Sequence, residues 1–229
     1  LNSTEQYVSA KRRAVTDEQK ALRRQFILDA AWTLFQQRTY DEITVADVAR
    51  AAGLAKGTVY LYFNSKEALF LAVEEQQLNA WFDDVADRLR EMKSGCTIAG
   101  LAGLICASIG QRPGLARLMP ILHVTLEHNI EYDTALAFKQ MLLRRVVEIG
   151  ALLEVCLPAL RPGMGAALVM QAYTYIIGLQ QMTDPAPVVK ALIEREPEMA
   201  PFRLDFTDEC ARMLIALLRG IEAQAGDRL

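Results

Sequence analysis

Residues 44–70, TVADVARAAGLAKGTVYLYFNSKEALF, read as two short helices joined by a tight turn and followed by the capped start of a third. Thr44 is placed to cap a helix over 45–52. Asp47, three residues on, completes a box-like pair and brings negative charge to the positive end of that helix. Val45, Val48 and Leu54 supply apolar contacts, while Ala46 and Ala49 keep the surface small enough for another helix to cross closely. Gly53 supplies the left-handed backbone that a tight turn between helices needs. The next helix, roughly 55–62, buries Val59 and Phe63 and turns Lys56, Thr58, Tyr60 and Tyr62 towards a different surface, small, cationic and rich in donors. This is the pattern of a helix-turn-helix, whose second helix offers side chains from its N-terminal part to base edges while flanking residues grip phosphates.

Upstream of this stretch, Lys11, Arg12 and Arg13 sit in a polar run without apolar periodicity, and residues 1–16 read as a mobile basic arm. Such an arm either follows phosphates or is simply solvated. Thr16-Asp17-Glu18-Gln19 reads as the capping box that opens the first helix. Downstream, Leu71, Leu78, Trp81, Phe82, Val85, Leu89 and Met92 recur at helical spacings along one long helix, 65–92. Further helices read at about 97–111, 114–130, 133–156, 163–182, 186–196 and 207–225, separated by Gly, Pro and Asn signals such as Arg112-Pro113-Gly114 and Arg161-Pro162-Gly163. Nothing alternates at period two. The expected fold is all-α: a three-helix DNA-binding domain over 17–70 and a larger helical domain over 71–229.

The 229 residues are 52% hydrophobic with a formal charge of −3, an unpromising balance for a nucleic-acid partner. The charge is unevenly divided, because residues 1–70 carry net +2 and the remainder net −5. A local patch, not the bulk value, sets an electrostatic footprint. Cys96, Cys106, Cys156 and Cys210 are far apart in sequence and read as buried thiols of a reducing cytoplasm. The two long uncharged stretches, Ser94–Gln111 and Pro162–Thr183, carry too many Gly and polar residues to read as membrane spans. Signatures of phosphate loops, nucleophile elbows, zinc proteases and di-iron bundles do not occur, so neither an enzyme nor a metal or other cofactor is expected.

From about residue 20 to 70 the chain resembles the tetracycline-repressor (TetR) family of bacterial regulators. The resemblance rests on the Ala30-Ala31, Leu34-Phe35 segment, Ile43-Thr44-Val45, Ala49, Gly53, Lys56-Gly57-Thr58, Tyr60, Tyr62-Phe63, Lys66-Glu67 and Leu69. One departure is Ala55, where the family often has Ser or Thr; it forgoes a side-chain cap worth about 1 kcal/mol. The resemblance implies that Thr58 and Tyr60 contact bases or base methyls and that Gly57 lets the backbone approach DNA. It also implies that Lys56, Tyr62, Lys66 and Thr44 hold phosphates.

The resemblance further implies a cytoplasmic homodimer that binds a pseudo-palindromic double-stranded operator, most often as a repressor. A small, mainly apolar effector bound in the C-terminal domain would release it. Candidate effector contacts are Trp81, Phe82, Leu104, Met119, His123, Glu127, Met141, Tyr173 and Ile177, with Leu122, Leu126, Phe138 and Leu142 beside them. His123 and Glu127 stand out on spacing alone, since i, i+4 places both on one helical face amid apolar neighbours. The dimer is expected through helices near 163–182 and 207–225, using Gly165, Ala166, Ala167, Met170, Tyr173 and Tyr175 with Ala211, Leu214, Ile215, Leu217, Leu218 and Ile221. Two alternatives stay open: an activator of the same family, and a helical ligand-binding or interaction protein without a DNA role.

Overall fold

Helix α1 (Asn2–Gln37) buries Ile27, Leu28, Ala31 and Phe35, a stripe at helical spacing that becomes the floor of the N-terminal unit. The computed structural model describes the backbone of residues 2–92 and 96–226 and the side chains of residues 17–92 and 96–223. Because α1 begins at Asn2, Thr16-Asp17-Glu18-Gln19 lies inside the helix and does not open it. The backbone of residues 2–16 is helical where the sequence reads as an arm. Glu5, Gln6, Ala10, Lys11, Arg12, Arg13 and Ala14 are all good helix formers, so propensity extends the helix without an apolar face to guide it. The side chains of Lys11, Arg12 and Arg13 lie outside the described residues.

The chain divides into two compact units, Leu1–Val73 and Glu74–Leu229. The first contains α1, α2 (Val45–Ala51), α3 (Lys56–Tyr60) and the start of α4 (Lys66–Met92). Its centre is Phe70, whose ring meets Phe35 and Tyr40 edge-on at 5.9 and 5.0 Å between centroids. Each such side chain contributes about 1.5–3 kcal/mol on full burial. The division between units falls within α4.

The second unit comprises the rest of α4, α5 (Ile98–Gly110), α6 (Pro113–Ile121), α7 (Tyr132–Cys156), α8 (Met164–Thr183), α9 (Pro187–Arg195) and α10 (Phe206–Gly226). The single helix expected over 114–130 is not continuous. It widens to a π-turn over Leu122–Leu126 and tightens to a 3-10 turn over Glu127–Asn129, just after Pro120, which brings no N–H to the ladder. Pro197–Phe202 forms a further 3-10 turn that the sequence did not signal.

Packing around α7 and α8 fixes the rest. The two helices cross backbone against backbone at Gly150 and Gly165, where a Cβ on either residue would overlap the other helix. Glu154 of α7 caps α8 by accepting from the N–H groups of Gly163 and Gly165 at 2.8 and 2.9 Å, which places an anion at a helix N-terminus. Arg145 joins α7 to α4 through Asp83 and the Asn79 carbonyl (2.9 Å), and Arg90 reaches Glu148 at 2.7 Å. All four cysteines are free thiols and fall into two spatial pairs. Cys106 and Cys210 have Sγ atoms 2.6 Å apart, and Cys96 donates to the Cys156 carbonyl at 3.3 Å. Among the described residues there is no strand, no cluster fit to hold a metal ion, and no helix long and apolar enough to cross a membrane.

Candidate nucleic-acid interface and ligand cavity

The turn between α2 and α3 is built as its residues dictate. Thr44 and Asp47 form the reciprocal capping box: the Asp47 N–H donates to Thr44 Oγ1 at 3.2 Å, and the Thr44 N–H donates to Asp47 Oδ2 at 3.0 Å. Hydrogen bonds from the Thr44 hydroxyl and backbone hold the Asp47 carboxyl below its ordinary range. Gly53 takes φ +67°, and the Leu54 N–H closes the turn on the Ala49 carbonyl at 2.8 Å. Ala55 is the N-cap of α3 and offers no side-chain acceptor, so the first turn is closed only by the Thr58 N–H bond to the Ala55 carbonyl at 2.9 Å.

Val59 and Phe63 are buried, while Thr44, Lys56, Gly57 and Tyr60 are exposed and Thr58 and Tyr62 half-buried. Lys56 Nζ lies 5.8 Å from the Tyr60 ring centroid. A Cβ on Gly57 would meet nothing within 4 Å, so the protein's own packing does not demand glycine there. Lys66 is placed differently from the other phosphate candidates. Its ammonium donates to the Tyr40 carbonyl at 2.5 Å and sits 3.8 Å from the Tyr40 ring centroid, an engagement that a phosphate would have to replace. Leu61, not among the residues expected from the sequence, is 84% exposed beside Tyr60 and offers an apolar surface of the kind that meets thymine methyls.

The second unit contains a partly open cavity of about 460 Å³, within the range of about 300–1,000 Å³ typical of small-molecule sites. Of the expected contacts, Trp81, Phe82, His123, Leu142 and Tyr173 line it. Leu104, Met119, Met141 and Ile177 do not, nor do Leu122, Leu126 and Phe138; Met119 and Met141 are buried in packing instead. On α5 the lining face is Leu101 and Ile105, which turns Leu104 aside. Leu214 and Leu218 of α10, expected at a dimer interface, are buried and line the cavity, and Gly165 is taken up by the crossing with α7.

The wall is apolar except at one end, formed by His123, Lys139 and Tyr173. Glu127 stands behind them and accepts from Lys139, and its Oε2 lies 3.4 Å from His123 Nδ1. Because the carboxylate can only accept, Nδ1 donates to it, and Nε2 lies 3.2 Å from the Tyr173 hydroxyl. Burial works against the Glu127 charge, yet the hydrogen bond and charge of Lys139 hold this carboxyl below its ordinary range. The Trp81 indole N–H is satisfied separately, by Ser108 at 2.9 Å.

One more carboxyl belongs to this end. Glu74 is completely buried, and burial, reinforced by the charge of Glu127, raises it well above the ordinary glutamate range. Desolvation followed by the charges of Glu74 and Glu127 likewise raises the Tyr173 phenol. Neither Lys139 nor Glu74 stands out in the sequence, although Glu74 falls on the stripe Phe70, Glu74, Leu78, Trp81, where helical spacing buries it.

Comparison with known proteins yields two family matches: residues 27–73 match the model described as bacterial regulatory proteins, tetR family, and residues 75–225 match the tetracyclin repressor-like C-terminal domain. The HTH-type transcriptional repressor KstR2 of Rhodococcus jostii is 38% identical over 73 residues, covering 32% of this chain and 34% of that protein. The aligned part is thus about a third of the length of such curated relatives. A putative transcriptional regulator from Rhodococcus sp. RHA1 shares the fold with TM-score 0.63 at 16% identity, over 86% of this chain and 94% of that one. The regulator FadR of Bacillus subtilis, solved with stearoyl-CoA, aligns with TM-score 0.50 at 17% identity, over 83% and 97% of the respective chains.

Proposed function

Since this chain belongs to the tetR family of bacterial regulatory proteins, we propose that it is a ligand-responsive transcriptional regulator, acting as a dimeric repressor on a two-fold symmetric operator. The observation that carries this reading is the outward presentation of Lys56, Gly57 and Tyr60 on a capped, glycine-turned helix pair, in a chain whose other unit holds an apolar cavity. Thr58, Tyr60 and Leu61 read bases, Lys56 and Tyr62 hold phosphates, and Gly57 admits the DNA backbone. Thr44, exposed at the start of α2, joins them. Lys66 serves by fixing the start of α4 against Tyr40.

Release follows from linkage. A ligand weakens DNA binding only by its preference for the state in which the two recognition helices no longer match successive major grooves, about 34–36 Å apart. Helix α4, whose residues belong to both units, is the covalent route for that signal. The half-exposed Met170 and half-buried Tyr175 of α8, with Ile215, Leu217 and Ile221 of α10, form the dimer contact. An apolar effector suits the walls of the cavity, and in FadR of Bacillus subtilis the bound molecule is stearoyl-CoA.

The test is a footprint of the purified protein on the DNA upstream of its own gene. A protected, two-fold symmetric segment, lost on adding an extract of the native cell's apolar metabolites, is the expected result. Uniform or absent protection contradicts the regulator reading.

A further inference from the structure

Among the described residues Lys139 is the one charged residue on the cavity wall, and the wall carries no carboxylate, Glu127 and Glu74 both lying off it. Contacts tie the polar end together across three elements. Lys139 of α7 reaches Glu127 in the turns after α6, Glu127 meets His123, and His123 Nε2 meets the Tyr173 hydroxyl of α8. An ammonium has three N–H groups, so Lys139 keeps donors for a second acceptor after Glu127 has taken one, and the Tyr173 hydroxyl is a further donor. The cavity is also graded in burial. Lys139, Leu143 and Val147 follow one another at i, i+4 and i+8 along α7 and are exposed, forming the rim, whereas Leu101, Ile176 and Leu214 of the same wall are buried.

Resting on the reading of this cavity as the effector site, we propose that the effector is an amphipathic monocarboxylate whose head pairs with Lys139 at the rim and whose apolar body lies against the buried wall. The Lys139 ammonium stands on the wall with Glu127 behind it, so the cavity meets the positive end of that ion pair. A carboxylate there gains a charge-assisted hydrogen bond from Lys139, and the Tyr173 hydroxyl supplies a second when it turns from His123 to the head. Because Lys139 is half-exposed, the head keeps part of its hydration and avoids the cost of a fully buried charge. Trp81, Phe82, Ile105 and Ile176 take the body, and the Trp81 N–H, held by Ser108, makes no polar demand on it. A cationic head would meet Lys139 and find no carboxylate on the wall.

Three molecules with one apolar body separate the alternatives: octanoate, octanol and octylammonium, titrated calorimetrically into the full chain at neutral pH. Octanoate is expected to bind at least about five-fold more tightly than either of the others, the scale of one charge-assisted hydrogen bond at a half-exposed site. Lys139→Met removes that preference, so that octanoate and octanol bind the variant equally; Lys139→Ala takes its place should the first variant fail to fold. Ala172→Phe, which fills the cavity, removes binding of all three, with Val169→Trp on the half-buried wall as the alternate. Equal or tighter binding of octanol or octylammonium overturns the inference while leaving the effector cavity intact, as does an octanoate preference that survives loss of the Lys139 ammonium. Binding of none of the three, or binding that survives the filling of the cavity, overturns the cavity reading together with this inference.

Discussion

Gly165 of α8 lies directly against the carbonyl of Gly150 of α7, so the two helices touch through backbone with no room for a methyl group between them. This contact sets the separation of α7 and α8, both of which wall the cavity. Overpacking a site of this kind typically costs about 1–3 kcal/mol. Gly165→Ala is therefore expected to lower the unfolding free energy by that amount, read as a lower urea midpoint. Gly178→Ala, on the same helix with open space around its Cβ, serves as the control and is expected to leave it unchanged or raised.

Gly57 gives the opposite pairing of effects. A methyl group there meets nothing in the protein, and replacing glycine inside a helix stabilises by roughly 0.5–1 kcal/mol. Gly57→Ala should raise the melting temperature and weaken operator binding, which separates a DNA role from a folding role. A variant that is more stable and binds DNA as well as wild type contradicts the close-approach assignment.

Ala55 leaves α3 without a side-chain cap. Ala55→Ser is expected to add up to about 1 kcal/mol of stability, and Thr44→Ala to remove a similar amount by breaking the box with Asp47. Chemical denaturation of both variants measures the two effects with opposite signs.

These local features are also those that the sequence made legible. Thr44, Asp47 and Gly53 act on their immediate neighbours, so cap and turn could be read directly from spacing. The long helices were legible because their apolar periodicity persists over many turns. The start of α1 was not, since a polar helix has no period to detect. The break at Leu122 depends on how Pro120 unsettles the following turn. The bond from Lys66 to the Tyr40 carbonyl was not legible, because Tyr40 lies 26 residues away in sequence. Cavity walls share their composition with ordinary core, which is why Met119 and Met141 were indistinguishable from Trp81 and Phe82 before the fold was known.

Glu74 makes stability depend on pH in a defined direction. Its carboxyl is raised in the folded protein, so the folded state binds a proton that the unfolded state has already lost. The stability associated with that proton is present below the unfolded glutamate value and declines as pH rises from there towards the folded value. Without ligand, Glu74→Gln should be the more stable protein at neutral pH, and the difference from wild type should shrink towards acid. Denaturant titrations of both proteins at pH 5 and pH 7.5 check the sign. A larger advantage for the variant at pH 5 would contradict it.

Base reading and phosphate gripping should separate by substitution. Thr58→Ala is expected to change which bases are preferred more than it changes overall affinity, whereas Tyr62→Phe should weaken binding to all sequences alike. Binding measured against a panel of single-base operator variants distinguishes them, and unchanged affinity and preference in both variants would remove these two residues from the interface.

The central claim is that the α2–α3 pair recognises a particular DNA sequence. Its most direct measurement is fluorescence anisotropy of the protein with DNA from upstream of its own gene and with a scrambled duplex of equal length and composition, over a range of salt. The account predicts specific binding at least about 10³-fold tighter than binding to the scrambled duplex at physiological salt, weakening as salt rises because phosphate contacts release counterions. Equal affinity for the two duplexes across the salt range would contradict it.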